Sequence, residues 1–145
     1  MREFYSASEE ETEALGAMIA KECAPSDFVA LYGEMGSGKT VFVRGFVKTL
    51  VPEARVSSPT YAVLNVYEGK EHVINHFDMF RISSEEDLYS TGYEEVLDQG
   101  ITLCEWPENI PESLPSSYLK IVFEKDGEKG RRLFVERILN ADSWY

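Results

Sequence analysis

The sequence predicts a three-layer α/β sandwich with a mixed, mostly parallel sheet and a C-terminal β-hairpin. Three observations carry that expectation. The run "FVALY", residues 28–32, is continuously apolar, as a strand covered on both faces of a parallel sheet must be. It passes through the glycine-rich "GEMGSGKT", residues 33–40, straight into "KTVFVRGFVKTL", where Val41, Phe42, Val43, Phe46, Val47 and Leu50 recur at helical spacing. Near the end, "YLKIVFEKDGEKGRRLFVERI" alternates on either side of "KDGEKG", which predicts a hairpin.

The remaining elements follow in chain order. "EFYSA" opens as a strand. "SEEETEALGAMIAKEC" predicts a helix in which Ser8 caps the N-terminus and Glu11 stands at capping-box spacing. Leu15, Met18, Ile19 and Cys23 make its apolar stripe, and Pro25 ends it. The helix at 39–50 is rich in β-branched residues, a poor composition in isolation, so its support must come from tertiary packing and from an anion at its N-terminus. After "SSPTY", two strands flank the "EGKE" turn as an antiparallel pair. "SSEEDLYSTGYEEVLDQG" predicts helix from a Ser84 cap, with a break near Gly92 and a stop at Gly100, and "ITLCEW" predicts a further buried strand.

With 145 residues, 43% of them apolar, the chain is expected to form a single domain over 1–145 with a substantial core. No run of about 18 apolar residues is present, and "MREFYSASEEETEALG" places acids where a signal peptide needs basic and then apolar residues. A soluble, cytoplasmic protein without membrane contact is expected. Cys23 and Cys104 lack Cys-x-x-Cys spacing and neighbouring histidine clusters, so both are expected to be reduced, buried and inert. The 26 acidic against 14 basic side chains give a formal charge of -12 and no basic block, which argues against direct binding of RNA or DNA. Screening within roughly 8 Å still lets a local concave site attract an anion.

"GEMGSGKT" is such a site in outline. Gly33, Gly38, Lys39 and Thr40 fulfil G-x-x-x-x-G-K-[ST]: glycines let successive backbone N–H groups converge on phosphate oxygens, Lys39 reaches the terminal phosphates and the Thr40 hydroxyl ligates Mg²⁺. The nucleotide-binding set is Gly33, Glu34, Met35, Gly36, Ser37, Gly38, Lys39, Thr40 and Val41. Strand, loop and helix in this order make the sandwich P-loop NTPase-like, with ATP and Mg²⁺ as expected ligands. The Asn-Lys-x-Asp signature of many GTPases is absent, which favours adenine.

Carboxylates to complete the site belong at the C-terminal ends of buried strands. Asp78 ends "HVINHFD" and Glu105 ends "ITLCE"; one can hold metal while the other orients water. Thr60 in "SSPTY" can sense the γ-phosphate or simply belong to a proline turn. Arg81 can pair with a phosphate or with Asp78. His76 reads as a hydrogen-bonded interior histidine rather than a base, and Trp106 as a core or rim aromatic or a shield against water.

The blocks "GEMGSGKT", "SSPTY", "HFDMFR" and "CEWPE", in that order, with "TEALG" before them and "GRRLFVERI" after, resemble the bacterial TsaE (YjeE) family over about residues 6–138. The resemblance implies a small ATPase that acts with the TsaB and TsaD proteins in forming threonylcarbamoyladenosine on tRNA. TsaD performs the transfer, and ATP hydrolysis, weak alone and stimulated by partners, resets the complex. It further implies Lys39 and Thr40 as phosphate and Mg²⁺ residues, Asp78 and Glu105 as the essential carboxylates that also serve the metal, Thr60 as a switch threonine, and Trp106 as a site tryptophan against the nucleotide. Glu34, Met35 and Ser37 stand where Asp, Leu and Ala are common, and Phe80 where Tyr is usual; the tail "LNADSWY" matches nothing in the pattern. Transfer RNA would be met only through the partners, which fits the acidic composition. Two rival readings share the loop. A small-molecule kinase wants an arginine-bearing lid, whereas Arg131 and Arg132 fall in the predicted hairpin, and a nucleotide-gated assembly module would need no turnover.

Overall fold

The computed structural model describes residues 1–56 and 63–139. Strand β1 (Arg2–Ser6) leads into helix α1 (Glu9–Glu22), then β2 (Phe28–Tyr32), α2 (Lys39–Leu50), the pair β3 (Leu64–Glu68) and β4 (Val73–Asp78), short helices α3 (Glu85–Tyr89) and α4 (Tyr93–Val96), β5 (Ile101–Glu105), and the hairpin β6 (Tyr118–Asp126) and β7 (Gly130–Ile138). The sheet runs β1-β7-β6-β2-β5-β4-β3. Its middle is parallel, β6 with β2, β2 with β5 and β5 with β4, and both flanks are antiparallel. β2 therefore sits between two parallel neighbours, as its unbroken apolar character requires.

Successive residues of β2 feed two cores. Val29 and Leu31 join Phe42, Phe46 and Ile121 beneath α1 and α2, while Phe28 and Ala30 join Phe77, Met79 and Tyr93 beneath α3 and α4. This alternation is the strand period at work, and it produces the helix–sheet–helix layering. Phe42 meets Phe123 edge to face at 5.3 Å, locking α2 onto β6.

The caps form as the sequence expects. Ser8 Oγ accepts from the Glu11 N–H at 3.2 Å, and Glu11 Oε2 accepts from the N–H of Ala7, one residue earlier than in the usual reciprocal box. Ser84 caps α3 in the same manner, and Gly92 at φ 76° breaks the helix before α4. The face of α1 differs from the expected stripe. Ile19 is fully buried, but Leu15, Met18 and Cys23 pack only at its margin, and the centre is Thr12, Gly16 and Ala20. The reason is backbone contact with α2: a Cβ on Gly16 would lie 2.1 Å from the Phe42 carbonyl oxygen, and one on Gly45 1.9 Å from that of Glu13. Helices this close can carry only the smallest residues between them. Among the described residues no helix is long and apolar enough to cross a membrane.

Candidate functional site

The glycine-rich loop joins β2 to α2 above the C-terminal edge of the parallel strands. Gly33, Gly36 and Gly38 have φ of 150°, 77° and 105°. That conformation is open to glycine and costly to other residues, so the motif glycines are what let the loop curl. A Cβ on Gly33 would also meet Ser37 Oγ at 2.7 Å and the Phe123 carbonyl at 2.9 Å. Gly38 is the N-cap of α2 and has no side-chain capping bond, so the helix turns its N-terminal end toward the loop. Ser37 is buried under the loop, and its hydroxyl has no partner among the described residues.

Lys39 points back into the loop. Its Nζ donates to the Gly33 carbonyl and stands 4.4 Å from the centre of the Trp106 ring. Burial lowers the Lys39 pKa, while Glu105, Glu108 and Asp78 act in the opposite direction. An ammonium held by one carbonyl and a π face, close to three carboxylates, is ready to exchange those contacts for a phosphate.

Asp78 and Glu105 are partners in the β4–β5 register, each the last residue of its strand. Asp78 Oδ1 accepts from the Phe80 N–H at 2.9 Å. Burial raises the Asp78 pKa first and Glu105 adds to this, opposed by the Phe80 N–H, His76 and Lys39. Glu105 is buried, with Oε2 only 2.5 Å from His76 Nε2. Beyond β5 the chain turns sharply: Trp106 adopts φ 58°, and its ring lies 5.0 Å from that of Phe80. Asn109 Nδ2 donates to the carbonyls of Met79 and Phe80 at 2.9 and 3.1 Å, tying the turn after β5 to the turn after β4.

These parts border one cleft of about 790 Å³, of the size that holds a small-molecule ligand. Met35, Gly36, Gly38, Lys39, Thr40 and Val41 form its floor, and Asp78, Glu105 and Trp106 one wall. Gly33, Glu34 and Ser37 from the expected set do not line it. Gly33 and Ser37 shape the loop from beneath and Glu34 faces solvent. Arg81 borders the cleft and makes no ion pair with Asp78 among the described residues. Thr60 lies outside the described residues. His76 is the hydrogen-bonded interior histidine the sequence suggested.

Two walls escaped the sequence. One is the start of α1, with Ser8, Glu9 and Thr12. The other is the β6–β7 turn and the start of β7, where Glu128, Lys129 and Arg131 fold over the loop. Arg131 Nη2 donates to the Gly36 carbonyl at 3.0 Å and Nη1 to that of Gly130 at 2.7 Å. The two hairpin arginines therefore part company: Arg131 lies on the cleft, and Arg132 turns outward to Glu3 and Asp126. The strand period explains the split, since adjacent residues face opposite sides of a sheet.

A glycine-turned loop with a lysine, a hydroxyl and two carboxylates around one cleft suits a polyphosphate with a hard cation. Among the described residues no group of three or more His, Cys, Asp or Glu forms a cage.

Comparison with known proteins bears on the same residues. A family model described as "Threonylcarbamoyl adenosine biosynthesis protein TsaE" matches residues 6–133. The tRNA threonylcarbamoyladenosine biosynthesis protein TsaE of Rickettsia conorii is 36% identical over 118 residues, covering 81% of this chain and 67% of that one. Its namesake from Bacillus subtilis is 35% identical over 133 residues, covering 90% and 82%. Among solved structures, the crystal structure of YdiB from Bacillus subtilis superposes with a TM-score of 0.75 at 27% identity, over 97% of this chain and 87% of that one. A match that spans the loop, both carboxylate strands and the hairpin turn places the chain in the TsaE family.

Proposed function

We propose that this chain is an ATPase that binds Mg-ATP in the cleft and hydrolyses it in support of threonylcarbamoyladenosine formation on tRNA. TsaB and TsaD are its partners, tRNA is met only through them, and the compartment is the cytoplasm. Family membership ties the chain to this modification. The observation that carries the ATPase reading is the juxtaposition of a left-handed glycine loop and Lys39 with two carboxylates in register at the ends of β4 and β5.

Each residue has a task its position supports. The loop amides and the α2 N-terminus bind phosphate oxygens. Lys39 leaves Gly33 and Trp106 to neutralise the terminal phosphates. Thr40 with Asp78 or Glu105 would hold Mg²⁺, which when bound neutralises charge on the phosphates. The remaining carboxylate orients the attacking water. Trp106 and Phe80 shield that edge of the cleft from solvent, which strengthens every electrostatic contact within it.

The test is ADP release by the chain reconstituted with TsaB, TsaD and tRNA. Glu105→Ala is expected to keep Mg-ATP binding and to lower partner-stimulated hydrolysis at least a hundredfold, the loss typical of a positioned water-activating group. Unchanged hydrolysis by Glu105→Ala within the complex would remove the carboxylate from the mechanism. A phosphorylated acceptor formed in step with ADP would point instead to a kinase.

A further inference from the structure

Glu105 lies beside another carboxylate, carries three side-chain torsions, and has to present an oxygen to the cleft in one orientation. Two carboxylates paired in register repel each other and favour the rotamers that separate them. Something in the fold must hold the Glu105 side chain in place.

His76 is placed to do this. Ile74 of β4 and Ile101 and Leu103 of β5 pack into the core under α2, so strand alternation puts His76, Asp78 and Glu105 on that same face. His76 pairs with Leu103, two residues inward from the Asp78–Glu105 pair on the same face, so its ring reaches Glu105 from below. Nε2 and Oε2 are 2.5 Å apart, with His76 1% and Glu105 7% exposed. The other ring nitrogen, Nδ1, is buried with no hydrogen-bond partner among the described residues. A histidine kept only for packing would be expected to satisfy both nitrogens or to be replaced by an apolar residue of similar volume. Here the ring's one bond goes to the carboxylate, and its second nitrogen stays unsatisfied.

We infer that His76 is a positioning residue whose Nε2–H fixes Oε2 of Glu105 and leaves Oε1 as the oxygen offered to the cleft; this rests on the ATPase reading above. Partners of this kind behind a functional carboxylate are worth about 10- to 100-fold in activity. Its absence would leave Glu105 in place but free among rotamers, so turnover falls and nucleotide affinity does not.

The test uses His76→Phe, which fills the volume without a donor, and His76→Gln, whose amide N–H can reach the position of Nε2. In the reconstituted system His76→Phe is expected to lower kcat by about 10- to 100-fold, with KM and the Mg-ATP Kd within roughly threefold of wild type. His76→Gln is expected to restore most of kcat. His76→Phe/Glu105→Ala is expected to be no slower than Glu105→Ala alone. A second readout needs no nucleotide: the His76 Nε2–H proton should resonate far downfield in the isolated protein and lose that shift in Glu105→Ala. Wild-type kcat in a folded His76→Phe, or a ring proton indifferent to Glu105→Ala, overturns the inference while the ATPase reading stands. A wild-type assembly that releases no ADP overturns both.

Discussion

Gly45→Ala puts the packing of the loop-bearing helix to a test in which the sign of the effect decides. A Cβ there would stand 1.9 Å from the Glu13 carbonyl oxygen, where 3.0 Å is the closest approach that real side chains show, so α1 and α2 must part by about 1.1 Å. The obstructing atom is backbone in mid-helix and cannot swing aside. Overpacking of this severity costs about 3 kcal/mol, and the better helix propensity of alanine returns about 1 kcal/mol, leaving a loss of roughly 2 kcal/mol. For a chain of this size that is a fall in Tm of roughly 8 °C. Scanning calorimetry of the isolated protein measures it. Because α2 begins with Lys39 and Thr40, titration calorimetry should also show weaker Mg-ATP binding. Gly16→Ala opens the same seam, so the double variant should lose less than the sum of the two. An exposed helical glycine would behave in the opposite way, and a rise in Tm would refute the packing described.

Two further outcomes are expected. Arg131→Ala should weaken Mg-ATP binding about tenfold, the worth of a charge-assisted hydrogen bond, whereas the neighbouring Arg132→Ala, which faces outward, should leave Kd unchanged; equal effects in titration calorimetry would contradict the split between them. Burial, then Asp27, pushes the Cys23 thiol up to about 12, and burial pushes that of Cys104 well above its ordinary 9.0. Cys104 should resist Ellman's reagent at pH 8 until denaturant is added, and Cys23, which is only partly covered where the sequence predicts burial, should react slowly. Since the folded pKa of Cys23 is raised, its contribution to stability is complete below pH 9.0 and is lost as pH rises toward about 12, so Cys23→Ala should flatten the alkaline decline of Tm in that window.

The elements most readable from sequence are those set by local pattern. "FVALY" and "ITLCE" announce buried strands because both faces of a central strand are covered, and the loop glycines announce themselves because few other residues accept their backbone angles. Asp78 and Glu105 are legible as last residues of such strands, although their pairing in register is not. What stayed hidden depends on residues far apart in sequence. Gly16 and Gly45 look like weak points in two helices until those helices touch, and the stripe on α1 misleads because close packing selects for smallness rather than hydrophobicity. Arg131 and Glu9 reach the cleft only because β7 pairs with β1 and the hairpin turn folds over the loop. Asn109 shows no local pattern at all, and its bonds to Met79 and Phe80 span about thirty residues.

The central claim is that the turn between β2 and α2 holds the phosphates of ATP. Isothermal titration of the isolated protein with ATP, ADP and GTP in the presence of Mg²⁺, alongside Lys39→Ala, tests it most directly. Saturable binding of the adenine nucleotides in preference to GTP, abolished by Lys39→Ala in a protein that still melts cooperatively, is the predicted result. No heat with any nucleotide, or undiminished binding by Lys39→Ala, would contradict it.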